Sequence, residues 1–162
     1  MKFNIKNIVK EIVIFVLIIF VASNIISYMR KPSLDSEQIP SLDVVLLDGS
    51  KFNKVEGKAL VVHFWADWCK VCSVEAQNIE TISKEYEVLT IAVNSGSDEK
   101  IKAYMREKNL TFKVLNDNDG KWAEKFKVQV FPTTFIYDSQ ENLKFTEVGY
   151  TTTAGLVMRL KI

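Results

Sequence analysis

The sequence predicts a single α/β sandwich, and three observations carry that prediction. A nearly continuous apolar run over 59–65 precedes a helix-compatible segment over 73–85 and a second apolar run over 88–93. Continuous apolar strands suit a sheet covered on both faces, and strand–helix–strand order implies a right-handed parallel crossover. Two further runs, 133–137 and 143–148, flank Ser139-Gln140-Glu141-Asn142 and form an antiparallel pair. The roughly 120 residues involved are enough to bury a core.

The remaining elements follow in chain order. Residues 42–47 read as a short strand, Asp48-Gly49 as a turn, and Phe52 as the start of a return strand. The loop 94–98 offers Ser97 or Asp98 as an N-cap for a helix over 99–109. A short strand over 112–115, a turn over 116–120 and a short helix over 121–126 come next. The last helix is placed at 153–160.

Ahead of this domain the composition changes. Lys2, Lys6 and Lys10 precede a wholly apolar run over 12–22; the uncharged stretch continues to Met29, and Arg30 and Lys31 close it. About 18–20 apolar residues span a bilayer as a helix, and Ser23, Asn24 and Ser27 dilute the second half of this one. Two readings compete, an uncleaved signal-anchor and a cleaved secretory signal with a weak site at Val21-Ala22-Ser23. Apolar Ile25, Ile26, Tyr28 and Met29 continue beyond that site and favour the anchor. The run has no amphipathic stripe, which disfavours a buried soluble helix. Either reading exports the rest of the chain, and the excess of N-terminal lysines keeps the N-terminus cytoplasmic. The chain therefore divides into an anchor over 1–31, a polar, proline-bounded linker over 32–40, and a globular domain over 41–162. Twenty-one basic against 20 acidic residues give no electrostatic case for nucleic acid.

The chemistry concentrates at Phe64-Trp65-Ala66-Asp67-Trp68-Cys69-Lys70-Val71-Cys72. Cys69 and Cys72 are the only cysteines, at a strand-to-helix turn. A sulfur at a helix N-terminus meets unpaired N–H groups and the positive end of the helix dipole, which favour thiolate over thiol. Lys70 adds a cation, and Val71 adds no charge. Cys72, three positions on, shares the same helical side and is placed to attack a mixed disulfide at Cys69. Cys69 is thus the nucleophile and Cys72 the resolving thiol. A zinc site usually needs four ligands, and a structural disulfide closing so short a loop adds little stability. Asp67 reads as exposed loop polarity whose charge partly opposes the thiolate. Trp65 reads as core and Trp68 as a partner contact.

These residues resemble the active site of the thioredoxin superfamily. Glu75, three residues after Cys72, matches the Cys-x-x-Cys-x-x-Glu of the membrane-anchored TlpA/ResA-like branch. Phe131-Pro132-Thr133-Thr134-Phe135 resembles that branch's cis-proline segment, and Gly149-Tyr150-Thr151-Thr152-Thr153-Ala154-Gly155-Leu156 resembles the ScsD-like protein disulfide oxidoreductases. The resemblance covers about 42–162. It implies a thioredoxin-like three-layer sandwich with an N-terminal β-hairpin and a central insertion, preceded here by one transmembrane helix. It implies a cis Phe131–Pro132 bond in a loop facing the dithiol, where Phe131, Pro132 and Thr133 would receive an extended substrate by strand addition.

His63, the only histidine, occupies a position that holds a buried acid in thioredoxin itself. It is either a core histidine or a neighbour tuning Cys72. Glu75 is either a buried carboxylate beside the dithiol or a solvated one. Gln77 stands where a proline often kinks this helix in the family.

The resemblance implies an extracytoplasmic thiol–disulfide oxidoreductase, a protein disulfide oxidoreductase needing no cofactor. Its partners would be client proteins with cysteines or disulfides, and a membrane electron donor would keep it reduced. A Cu(I)-binding module on the same two thiolates is the alternative, although the scattered methionines form no copper stripe. A peroxidase is a second rival.

Overall fold

The computed structural model describes residues 5–32, 34, 36 and 38–162, with side chains left out at 5–7, 23, 24, 27 and 28. Lys2, Ser33, Asp35 and Glu37, and the side chains of Lys6, Ser23, Asn24, Ser27 and Tyr28, lie outside the described residues. The chain forms two compact units, 1–31 and 32–162.

The first unit contains helix α1, Ile5–Met29. Its large side chains from Ile12 to Val21 are all exposed. Among the described residues no helix is long and apolar enough to cross a membrane. The single transmembrane helix expected from the sequence is not shown by these residues.

The second unit is built on a five-stranded sheet of order β3-β2-β1-β4-β5. Its elements are β1 (Leu60–Trp65), α2 (Lys70–Ser83), β2 (Glu87–Val93), α3 (Asp98–Glu107) and β3 (Lys113–Asp117). They continue with α4 (Lys121–Lys125), β4 (Thr133–Tyr137), β5 (Leu143–Val148) and α5 (Thr153–Leu160). β1 runs parallel to β2, and β2 parallel to β3, while β4 is antiparallel to both β1 and β5.

All six β1 residues are buried because alternate side chains enter two cores. Val61 and Trp65 join a cluster with Ile79 and Ile82 of α2, Ile101 of α3 and Leu156 of α5. Leu60, Val62 and Phe64 join the opposite cluster with Phe126, Phe135 and Tyr137, beneath Val44, Leu46 and Phe52. Phe64, Phe126 and Phe135 meet with ring centroids 5.0–5.8 Å apart.

Several boundaries differ from the sequence reading, each for a local reason. The N-terminal hairpin is reduced to one bridge, Val45 to Lys51. The Asp48 carboxylate accepts both the Ser50 N–H and its hydroxyl, closing a tight turn on Gly49 at φ 85°. Two hydrogen bonds flank the bridge, from Leu46 N–H to the Ser50 carbonyl and from Phe52 N–H to the Val44 carbonyl, and the Leu47 N–H in the turn donates to the Val114 carbonyl, 2.7 Å away on β3. Helix α2 begins at Lys70 rather than 73 because Cys69 itself is the N-cap. Capping preferences favour Ser, Thr, Asp or Asn, and here a cysteine takes that place. β3 extends to Asp117, whose carboxylate accepts the N–H groups of Trp122 and Ala123 at the start of α4. Helix α3 stops at Glu107, with Asn109 left-handed at φ 52°.

Candidate active site

The strand β1 ends at Trp65, and after four intervening residues the chain enters α2 at Lys70. Cys69 sits at that junction in extended conformation, and its Sγ accepts the Cys72 N–H at 3.1 Å. The first helical bond follows, from Ser73 N–H to the Cys69 carbonyl at 3.0 Å. A sulfur thereby occupies the place of a capping oxygen, against helix donors that have no intrahelical acceptor. Cys69 and Cys72 form a disulfide with their Cα atoms 5.2 Å apart. Cys72 is almost fully buried and Cys69 is slightly more open. Both belong to the core cluster on the α2 side of the sheet.

The cis-proline loop reaches the same cluster. Phe131–Pro132 is a cis peptide, and Phe131 is half-buried against the cluster that holds both cysteines. Its ring meets Trp68 edge-on at 5.7 Å. Trp68 is 59% exposed and donates its indole N–H to the Asn94 carbonyl at 3.1 Å. Pro132 and Thr133 are buried, and their polar atoms are engaged internally. The Pro132 carbonyl accepts the Gly149 N–H, and the Thr133 hydroxyl donates to the Val130 carbonyl. Of the three residues read as substrate-binding, Phe131 alone keeps a partly open side chain. Lys70 and Val71 are exposed, while Trp65 is core, stacked on Tyr104 at 5.3 Å.

Glu75 is fully buried in α2. Its Oε1 accepts the Thr151 N–H at 2.9 Å, and its Oε2 is buried with no hydrogen-bond partner. Burial pushes its carboxyl up to about 8, against the opposing Thr151 bond. Asn78, one turn on, donates to the Thr151 carbonyl and the Tyr150 hydroxyl, and accepts from the Thr153 hydroxyl. The Gly149–Leu156 tail is thus fastened to α2 beside Glu75. Gln77 causes no break in α2; its amide donates to the Lys108 carbonyl at 2.7 Å.

His63 is buried at the centre of β1, opposite Thr134 of β4. Its Nδ1 lies 2.9 Å from the Thr134 hydroxyl. Burial drives its pKa down to about 3, which keeps the ring neutral. Among the described residues, neither His63 nor Glu75 hydrogen-bonds to a cysteine.

Asp67 is not the solvated loop carboxylate that the sequence suggested. Its side chain is 11% exposed and pairs with Lys100 of α3, Oδ2 to Nζ 2.6 Å. Its N–H donates to the Ser95 hydroxyl at 3.1 Å. Sequence reasoning missed Lys100, Ser95, Thr134 and Thr151, because each meets the site across a long chain separation. Only Lys100 carried a local signal, a cation in the first turn of a helix. Among the described residues no group of three or more His, Cys, Asp or Glu side chains is gathered to hold a metal ion. The copper reading therefore has no third such ligand.

Comparison with known proteins agrees with this geometry. The AhpC/TSA family model matches residues 36–146. The thioredoxin-like protein YneN of Bacillus subtilis is 32% identical over 79% of this chain and 79% of its own length. The thiol-disulfide oxidoreductase ResA of Oceanobacillus iheyensis is 28% identical over 62% of this chain, a match spanning 52% of ResA. Among solved structures, the pneumococcal exposed lipoprotein thioredoxin Etrx1 of Streptococcus pneumoniae is 27% identical with a TM-score of 0.63. That match covers 73% of this chain and 96% of Etrx1.

Proposed function

This chain belongs to the AhpC/TSA family, and from its dithiol and its likeness to the thiol-disulfide oxidoreductase ResA we propose that it is a protein thiol–disulfide oxidoreductase. The carrying observation is Cys69 Sγ at the cap of α2, disulfide-bonded to Cys72. In the reduced protein the Cys69 thiolate attacks one sulfur of a client disulfide. The client S–S bond breaks, a mixed disulfide forms, and the first client thiolate leaves. Cys72 then loses its proton and attacks Cys69 Sγ, which releases the second client sulfur. Two electrons and the Cys72 proton pass from the thiolate–thiol pair to the client, whose second thiolate takes from solvent the proton that Cys69 had released, leaving the Cys69–Cys72 disulfide. Glu75 is the proton-transfer group: with its carboxyl pushed up to about 8, its ionised fraction takes the Cys72 proton and passes it to a departing client thiolate, and His63 is a hydrogen-bonding neighbour in the sheet. Trp68 and Phe131 form the client-facing rim.

The domain works outside the cytoplasm, on a single N-terminal anchor within 1–31, with 32–40 as the linker and 41–162 as the catalytic domain. Support comes from the apolar run over 12–22, whose exposed side chains need a nonpolar surround, and from the N-terminal lysines. The chain acts as a reductant, recharged by a membrane electron donor. The test is insulin reduction by the reduced protein. Turnover that is lost in Cys69→Ser supports the reading. Inert dithiol combined with hydrogen peroxide turnover would replace it with a peroxidase.

A further inference from the structure

We propose that Lys100 is a positioning residue for the dithiol, acting through Asp67 to hold the charge beside Cys69 near zero. The inference rests on Cys69 being the attacking thiol.

Asp67 stands two residues before Cys69. It is held from two sides, by its N–H on Ser95 and by Oδ2 on Lys100 Nζ at 2.6 Å. Its other oxygen, Oδ1, is buried without a hydrogen-bond partner. A nearly buried carboxylate with one empty oxygen depends on its single cation, because losing the partner of a buried charge is costly.

Lys100 is an odd residue for its own helix. It lies in the first turn of α3, where its N–H is capped by the Ser97 hydroxyl. The helix dipole disfavours a cation there and favours Asp98 and Glu99. The position makes sense only for the partner it reaches outside α3. The neighbouring loop is shaped to let it pass: a Cβ on Gly96 would lie 3.0 Å from Lys100 Cδ. Gly96 is fixed in turn, its N–H on Asn118 Oδ1 and its carbonyl on Asn116 Nδ2, both at 3.0 Å.

The charges around Cys69 can be named by element. β1 contributes His63, which burial keeps neutral, and α2 contributes Glu75, which burial keeps protonated at neutral pH. α2 also contributes Lys70, which is exposed. α3 contributes Lys100 beside Asp98, whose carboxylate is bonded to Asn116. The turn before Cys69 contributes Asp67. Removing Lys100 leaves a bare carboxylate two residues from the sulfur, and like charge disfavours the thiolate.

A four-member cycle on the reduced full chain tests this: wild type, Lys100→Met, Asp67→Asn and the double variant. The readout is the pH dependence of iodoacetamide labelling, with the labelled cysteine identified by mass spectrometry. Lys100→Met should raise the labelling midpoint by about half a pH unit, and Asp67→Asn should lower it. The double variant should return close to wild type, and Lys100→Arg should retain the wild-type profile. If Lys100→Met does not fold, Asp67→Asn carries the test in the opposite direction. Labelling at Cys69 with superimposable profiles overturns the inference alone, as does a double variant that stays shifted with Lys100→Met. Wild-type labelling at Cys72 overturns the Cys69 assignment and this inference with it.

Discussion

Thr151 donates its backbone N–H to Glu75 Oε1 over 2.9 Å, although 76 residues separate them in the chain. The bond joins the loop before α5 to the buried side of α2, three residues beyond Cys72. It leaves Oε2 without a partner, so the carboxyl is destabilised as an anion and retains a proton to about pH 8.

Glu75→Gln should slow reduction of a model disulfide roughly tenfold or more at neutral pH and flatten its pH dependence, as expected for loss of a proton-transfer group. His63→Asn should keep the shape of the wild-type curve and lower the melting temperature. Rates measured from pH 5 to 9 decide between them. A Glu75→Gln curve that matches wild type while His63→Asn departs from it would swap the roles, and two unchanged curves would make Cys72 exchange its proton with water.

The same two residues set opposite pH dependences of stability. The Glu75 carboxyl rises from 4.5 to about 8 on folding, so its contribution is full below pH 4.5 and is lost as pH rises towards 8. The His63 ring falls from 6.5 to about 3, so its contribution is full above pH 6.5 and is lost as pH falls towards 3. Thermal melting of the oxidised protein should show Glu75→Gln flattening the decline above pH 4.5 and His63→Asn flattening the decline below pH 6.5. Melting curves for the variants that parallel wild type across both windows contradict the assignment.

Cys72→Ser should make one attack and stop, accumulating mixed disulfides with client proteins in cells, whereas Cys69→Ser should accumulate none. Non-reducing electrophoresis followed by mass spectrometry reads the outcome. Adducts confined to Cys69→Ser would reverse the nucleophile and the resolving thiol.

The N-terminal segment should hold the protein in the membrane fraction after alkaline carbonate washing, with its terminus intact. N-terminal sequencing of the mature protein checks this. A new terminus near Asn24, with the protein released from membranes, would replace the anchor by a cleaved signal.

The sequence alone determined the strand–helix–strand frame, the antiparallel β4–β5 pair, and the dithiol at the start of α2. Those features rest on apolar periodicity and on the spacing of Cys69 and Cys72, which are local. It also narrowed Glu75 and His63 to two readings each. Only the tertiary structure buries Glu75 and gives His63 its partner, because both depend on what the fold lays over them. For Glu75 that is the Thr151 loop, and for His63 it is β4, whose Thr134 lies 71 residues away. The Asp67–Lys100 pair was hidden for the same reason, since an acid in a turn and a lysine on a helix each look solvated until the fold brings them to 2.6 Å. The N-terminal hairpin is present but short. Asp48-Gly49 encodes its turn, whereas the hydrogen bond from Leu47 N–H in that turn to Val114 on β3 has no trace in the local sequence.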